Sequence, residues 1–173
     1  MAASPRSTPP NASPDKSSTD SPAQAVNLPF EILGSAIQGR GAFATRQIPA
    51  GRRLIEYAGE RLTPTEAEAR YPDALGERHH TYLFAIDDQL VVDAAVHGNA
   101  ARFLNHSCAP NCDAVVEDGR IWIETIHDIE LGEELVYDYA YVLAERHTPA
   151  LKRRYPCRCG AITCRGTILA KKR

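Results

Sequence analysis

The chain has 173 residues, 43% apolar and 24% charged, with 20 basic side chains against 22 acidic ones and a formal net charge of −2. This fits one globular domain with a real core and excludes the strongly basic footprint of a nonspecific nucleic-acid binder. No apolar run approaches the roughly 20 residues that cross a bilayer, and the N-terminus lacks the apolar stretch of a secretory signal, so an intracellular protein is expected.

Residues 1–26 hold five prolines and six serines, with almost no bulky apolar side chains. Such a segment buries too little surface to offset its ordering entropy, and it reads as a disordered tail. Globular structure is expected from Leu28, with Phe30-Glu-Ile-Leu33 as a short strand. Gly39-Arg40-Gly41 and Phe43 follow as a turn whose glycines let backbone approach a ligand. Pro49-Ala-Gly51 turns the chain into a strand over Arg53–Tyr57. Thr63-Pro64-Thr65-Glu66 then has the parts of a helix start: a capping threonine, a proline for the first helical position and a glutamate to return a bond. That helix is expected to run to about Arg70 and to stop before Pro72, and the segment through His79-His80 reads as surface loop.

Thr81–Ile86 and Leu90–Asp93 form a hairpin candidate around Asp87-Asp88-Gln89. A second hairpin joins Asp113–Glu117 to Arg120–Glu124 through Asp118-Gly119, a pair that favours a primed two-residue turn. Gly132-Glu133-Glu134 leads into a strand over Leu135–Tyr139. Many short strands, brief helices and no βαβ alternation give a mostly β class.

Polar groups crowd into Asn99–Cys112, which must either face water or find specific partners. Of the five cysteines, two lie there and three at Cys157, Cys159 and Cys164. In a reducing compartment such clustering points to metal rather than disulfides. A closed zinc site needs four ligands, and the fourth would come from Cys108, Cys112 or His106. Tyr137 and Tyr139 share one face of the last strand, and Tyr82 lies in another strand. Phenol oxygens both donate and accept, which suits a narrow apolar channel that orients an amine.

Gly39-Arg-Gly41, Glu56-Tyr-Ala-Gly-Glu60, Tyr82-Leu-Phe84, Arg102-Phe-Leu-Asn-His-Ser-Cys-Ala-Pro-Asn111, Gly132-Glu-Glu-Leu-Val-Tyr-Asp-Tyr139 and the Cys157, Cys159, Cys164 motif occur in a familiar order. Over about residues 28–170 the chain resembles the SET-domain protein lysine methyltransferases with a post-SET zinc motif. It looks nearest the trithorax (mixed-lineage-leukaemia) branch, through Ile86-Asp-Asp88, Val91-Val-Asp-Ala94 and His97-Gly-Asn-Ala-Ala-Arg-Phe103.

The resemblance implies a knotted β-rich SET fold over residues 27–146, followed by a post-SET zinc segment over 147–173. It implies methyl transfer from S-adenosylmethionine to a lysine amine of a histone or histone-like basic protein. By the same resemblance Gln38, Arg40, Gly41, Phe43, Asn105 and His106 hold the cofactor, and Arg158 and Ile168 close over its adenine. Tyr139 becomes the catalytic tyrosine, Tyr82 touches cofactor and lysine channel, and Tyr137 limits product to lower methylation states. Cys108 joins Cys157, Cys159 and Cys164 around one zinc, and Cys112 is left as a free thiol.

Gln38 departs from the family, standing where close relatives carry histidine, and the insert between Gly59 and Tyr82 is short, leaving the substrate groove few walls. An acidic groove would suit a basic tail, with Asp87, Asp88, Glu117 and Asp118 as candidates. Two rival readings exist. A cysteine hydrolase built on Cys108 and His106 fails because a zinc thiolate is not free to attack. A noncatalytic zinc-stapled binding module is opposed by intact Tyr82, Asn105, His106 and Tyr139.

Overall fold

A computed structural model describes residues 27–72, 82–143 and 145–171. The expected N-terminal tail and the His79-His80 loop lie outside the described residues. The elements run β1 (Phe30–Gly34), β2 (Arg40–Ala44), β3 (Arg53–Glu56), β4 (Glu60–Leu62), α1 (Pro64–Arg70), β5 (Leu83–Ala85) and β6 (Val91–Asp93). A single 3-10 turn (Ala100–Phe103) precedes β7 (Asn105–His106), β8 (Cys112–Glu117), β9 (Arg120–Thr125), β10 (Glu134–Tyr137) and α2 (Pro149–Arg154). The class is mostly β, as expected.

Local chemistry explains the elements that the sequence announced. Thr63 accepts a bond from the Glu66 amide at 3.3 Å, and the Glu66 carboxylate accepts from the Thr63 amide at 2.8 Å, closing the capping box of α1. At the tip of the β8–β9 hairpin Asp118 and Gly119 have φ of 50° and 69°, the left-handed pair of a type I′ turn. β5 and β6 pair antiparallel, with β4 on the other side of β6. Arg70 of α1 locks onto this small sheet by ion pairs to Glu60 at 2.7 Å and to the buried Asp93 at 2.8 Å.

The larger sheet has the order β1-β2-β10-β8-β9-β3, with β7 alongside β10. Its centre is β10, whose Leu135 pairs with Ala42 of β2 and whose Tyr137 pairs with both His106 and Cys112. Ala42, Leu104, Ile123, Ile129 and Leu135 are at most 1% exposed and form the main core beneath it. A second, small core of Leu143, Leu151, Tyr155 and Leu169 ties α2 to a C-terminal strap, residues 155–171.

One strand is shorter than expected. β10 ends at Tyr137 instead of continuing to Tyr139. Asp138 turns outward and accepts a bond from the Ala140 amide at 2.9 Å, and Ala140 takes a positive φ of 43°. A non-glycine residue rarely adopts this conformation, so the surroundings must hold it there. Tyr139 therefore lies beyond the end of β10, with its ring 4.8 Å from that of Tyr137.

Candidate functional site

A cleft of about 940 Å³ opens between the core sheet and the C-terminal strap, a size suited to a cofactor and a substrate side chain together. One end is aromatic. Tyr137 and Tyr139 have ring centroids 4.8 Å apart, Phe84 stacks on Tyr137 at 6.4 Å, and Tyr57 lies 5.5 Å from Phe84. The Tyr139 hydroxyl donates to the Leu104 carbonyl at 2.9 Å, and the Tyr57 hydroxyl donates to the Tyr82 carbonyl at 3.0 Å. Burial pushes Tyr57, Tyr137 and Tyr139 well above the usual phenol range. All three therefore stay neutral near pH 7, as hydrogen-bonding groups rather than charges.

The other end is a backbone loop fixed by carboxylates. The Asn105 side-chain amide donates to the carbonyls of Gln38 and Arg40 at 3.3 and 2.9 Å and to Glu134 at 2.7 Å. The second Glu134 oxygen accepts from the Ser35 hydroxyl at 3.0 Å. The same carboxylate explains Gly41, where a Cβ would collide with it. Asn111 repeats the pattern one step along, donating to Glu133 at 3.0 Å while accepting from the Val136 amide at 2.9 Å. Thus Glu133 and Glu134 each hold one asparagine of the central stretch against β10. Gln38, Arg40, Tyr82, Asn105, His106, Tyr137, Tyr139, Arg158 and Ile168 all line the cleft. Gly41 and Phe43 do not; they lie in β2, Gly41 against Glu134 and Phe43 opposite Glu31 of β1.

Behind the strap the Sγ atoms of Cys108, Cys157, Cys159 and Cys164 lie within 4.8 Å of one another. Cys108 is 3.7 Å from Cys157 and 4.0 Å from Cys164. A tetrahedral zinc with sulfur at about 2.3 Å requires sulfurs about 3.8 Å apart, so this set fits one closed zinc site. Backbone amides also point at the sulfurs, among them Arg165 to Cys108 at 3.5 Å and Gly166 to Cys164 at 3.3 Å, as thiolates require. Cys112, by contrast, is 1% exposed within the main core, where burial pushes its thiol up to about 12.

Two contacts join the cysteines to the tyrosines. The His106 ring accepts the Tyr139 amide proton on Nδ1 at 3.1 Å and places Nε2 3.4 Å from the Cys108 sulfur. Burial lowers its pKa to about 4, so the ring is neutral, and this network assigns its proton to Nε2. Arg165, beside Cys164, forks onto both oxygens of Asp138 at 2.6 Å and donates through Nε to the Leu169 carbonyl at 3.2 Å. Asp138 sits between Tyr137 and Tyr139, so the fork fastens the strap to the bend that presents them.

A model of the SET domain matches residues 39–140, more than half of the chain. The chain belongs to the SET-domain family. Among its relatives are the histone-lysine N-methyltransferase trithorax of Drosophila virilis, 46% identical over 140 residues, covering 78% of this chain and 3% of that protein. Histone-lysine N-methyltransferase 2B of Homo sapiens is 42% identical over 138 residues, 78% of this chain and 5% of that one. The H3 lysine-4 specific histone-lysine N-methyltransferase of Candida albicans is 42% identical over 145 residues, 81% of this chain and 14% of that one. The trithorax kinship expected from the motifs is therefore present, although this SET-domain chain spans only 3–14% of the length of these relatives.

The SET cleft also draws on residues to which the sequence reading gave no role. Tyr57, Phe84, Phe103, Arg102 and Tyr155 line it. A signal for Phe84 existed, because two residues along a strand from Tyr82 it must share that side. The four carboxylates named as candidates for an acidic groove lie elsewhere. Asp87, Asp88, Glu117 and Asp118 do not line the cleft. Asp87 accepts from the amides of Gln89 and Leu90 within its own turn, and Glu117 pairs with Arg53 at 2.7 Å near the hairpin tip.

Proposed function

We propose that this chain is a protein-lysine N-methyltransferase that uses S-adenosylmethionine. The observation that supports it best is a single cleft holding the tyrosine cluster at one end and the Gln38–Arg40 loop braced by Asn105 at the other. When bound, S-adenosylmethionine supplies a methyl group activated on a sulfonium. The chain's part is to place a lysine amine in line with that methyl group and to exclude water, which can account for most of the acceleration. The loop carbonyls and amides, Asn105, His106, Arg158 and Ile168 would hold the cofactor. Tyr139 would orient the amine through its neutral hydroxyl, already fixed on the Leu104 carbonyl. Tyr82 would stand between cofactor and lysine channel, and Tyr137 would limit the room for further methyl groups.

Burial holds Tyr57, Tyr137 and Tyr139 above the usual phenol range, so none of these three serves as a base at neutral pH. The lysine's proton must therefore leave to water, and an apolar channel beside a cofactor sulfonium would favour that loss. One zinc held by Cys108, Cys157, Cys159 and Cys164 would fix the strap. The names of the relatives make histones or histone-like proteins the first substrates to try. The test is transfer of radiolabelled methyl groups to core histones and to a protein lysate, with Tyr139→Phe as control. Cofactor binding with no transfer to any lysine-bearing protein would leave a binding module instead of an enzyme.

A further inference from the structure

The formal charge of −2 conceals a division along the chain. Residues 1–144 hold 21 acidic and 11 basic side chains, whereas residues 145–173 hold nine basic and one acidic, Glu145, a balance of −10 against +8. Three of the nine are engaged. Arg165 forks onto Asp138, Arg158 lines the cleft where the cofactor is proposed to sit, and Arg154 has contacts of its own. Arg146, Lys152, Arg153 and Lys171 are exposed, and none of these four forms an ion pair among the described residues.

The backbone brings the four together. The Thr148 amide donates to the Arg146 carbonyl at 2.8 Å and Thr148 caps α2, so Arg146 leads directly into the helix that carries Lys152 and Arg153. The His147 ring accepts the Leu143 amide on Nε2 at 3.2 Å, which leaves its proton on Nδ1 for the Ala170 carbonyl, also at 3.2 Å. That clasp sets Lys171 beside the start of α2, and Lys172 and Arg173 follow it in the sequence. The helix turns Leu151 inward, and its exposed positions, Pro149, Ala150 and the three cations after Leu151, offer no large apolar side chain.

A protein partner draws most of its binding energy from buried aromatic and apolar anchors, which this surface lacks. Unpaired cations instead suit a row of phosphates, where each contact releases condensed counterions. Acidic side chains elsewhere on the chain oppose this only within about 10 Å, the Debye length at 0.1 M salt. We propose that α2 and the adjoining end of the strap form a nucleic-acid docking surface, which holds the phosphate backbone of a duplex through Arg146, Lys152, Arg153 and Lys171 without reading its sequence. Arg153 and Arg154 also give α2 one wall of the cleft, so a duplex held there presents the proteins that coat it to the tyrosines. Docking needs neither cofactor nor turnover, so its failure and that of the methyl-transfer reading are separate results.

The experiment follows binding of the full chain to a short labelled DNA duplex by fluorescence anisotropy as salt is raised. Four phosphate contacts give a slope of about −3.6 in log affinity against log salt, so affinity should fall by roughly 150-fold between about 50 and 200 mM. Arg146→Gln combined with Lys152→Gln, both outside the cleft lining, should bring the slope to about −1.8. Zinc content, S-adenosylmethionine affinity and urea stability should stay as in the parent. The same loss of charge by Arg46→Gln with Arg52→Gln, at exposed positions between β2 and β3, should leave the slope in place. The proposal is overturned if the duplex does not bind at the lowest salt, or if the two double variants change the slope alike, as bulk charge would. It is equally overturned if polyglutamate binds as tightly as the duplex, which would make this a surface for acidic proteins.

Discussion

Replacing Arg165 with lysine tests whether the guanidinium fork holds the C-terminal strap against the reactive tyrosines. Arg165 makes two 2.6 Å bonds to Asp138 and one of 3.2 Å to Leu169, and its side chain is 14% exposed. Lysine presents its donors from one point and cannot span both carboxylate oxygens and that carbonyl. Hydrogen bonds to charged groups contribute about 1.5–3 kcal/mol each. Asp138 is a third exposed, so water recovers part of this and the closed strap loses about 2–3 kcal/mol. At 1.4 kcal/mol per decade the closing equilibrium shifts by roughly 30- to 150-fold. Arg158 and Ile168 on the strap line the cleft, so cofactor affinity should weaken by up to that factor. The zinc should stay, because its apparent binding free energy is on the order of 10 kcal/mol. Calorimetry with S-adenosylmethionine, beside metal analysis, reads both quantities. Affinities within threefold of the parent for both Arg165→Lys and Asp138→Asn would refute the reasoning.

Other outcomes follow from the same contacts. Cys157→Ser should release zinc and weaken cofactor binding together; one retained zinc per chain would refute the four-cysteine set. Tyr137→Phe should raise the methylation state of the product, and an unchanged distribution by mass spectrometry would remove that role. The Cys112 thiol, pushed up to about 12, keeps a proton that an unfolded chain releases above about pH 8.5. Its contribution to stability is intact below that pH and is lost above it, at up to about 1.4 kcal/mol per pH unit. Cys112→Ala should flatten the fall in urea stability between roughly pH 8.5 and 10; an unchanged slope would place the proton linkage elsewhere.

Legibility in the sequence tracked the range of the interactions. The capping box at Thr63 and the turn at Asp118-Gly119 are complete within four residues, so their chemistry could be read directly. The end of β10 could not. Leu135–Tyr139 is good strand sequence throughout, and the break at Tyr137 is stabilised by Arg165, which lies 27 residues from Asp138. The placement of the candidate carboxylates was hidden for a similar reason, because carboxylates can be counted in a sequence but their partners cannot. Asp87 is used by its own turn and Glu117 by Arg53, which leaves arginines at the cleft. Tyr57 and Phe84 stood in the motifs, but only the packing of the two sheets brings them to Tyr137.

The cysteine cluster and the cleft also depend on each other in folding. Cys108 meets Cys157 across 49 residues and Cys164 across 56, whereas the hairpins close over a few. Loop closure of that length costs entropy before any contact returns it, so the strap should close after the sheets have formed. Until it closes, the cleft lacks Arg158, Ile168 and the α2 wall. His106 is paired with β10, and its Nε2 lies 3.4 Å from the Cys108 sulfur, so the ligand loop and the tyrosine strand are joined through this one ring. On the proposed assignments, residues 105–112 would therefore do more than supply cofactor contacts and one metal ligand. They would make the complete cofactor site conditional on metal, so that removing zinc should open the cleft while leaving the β core folded.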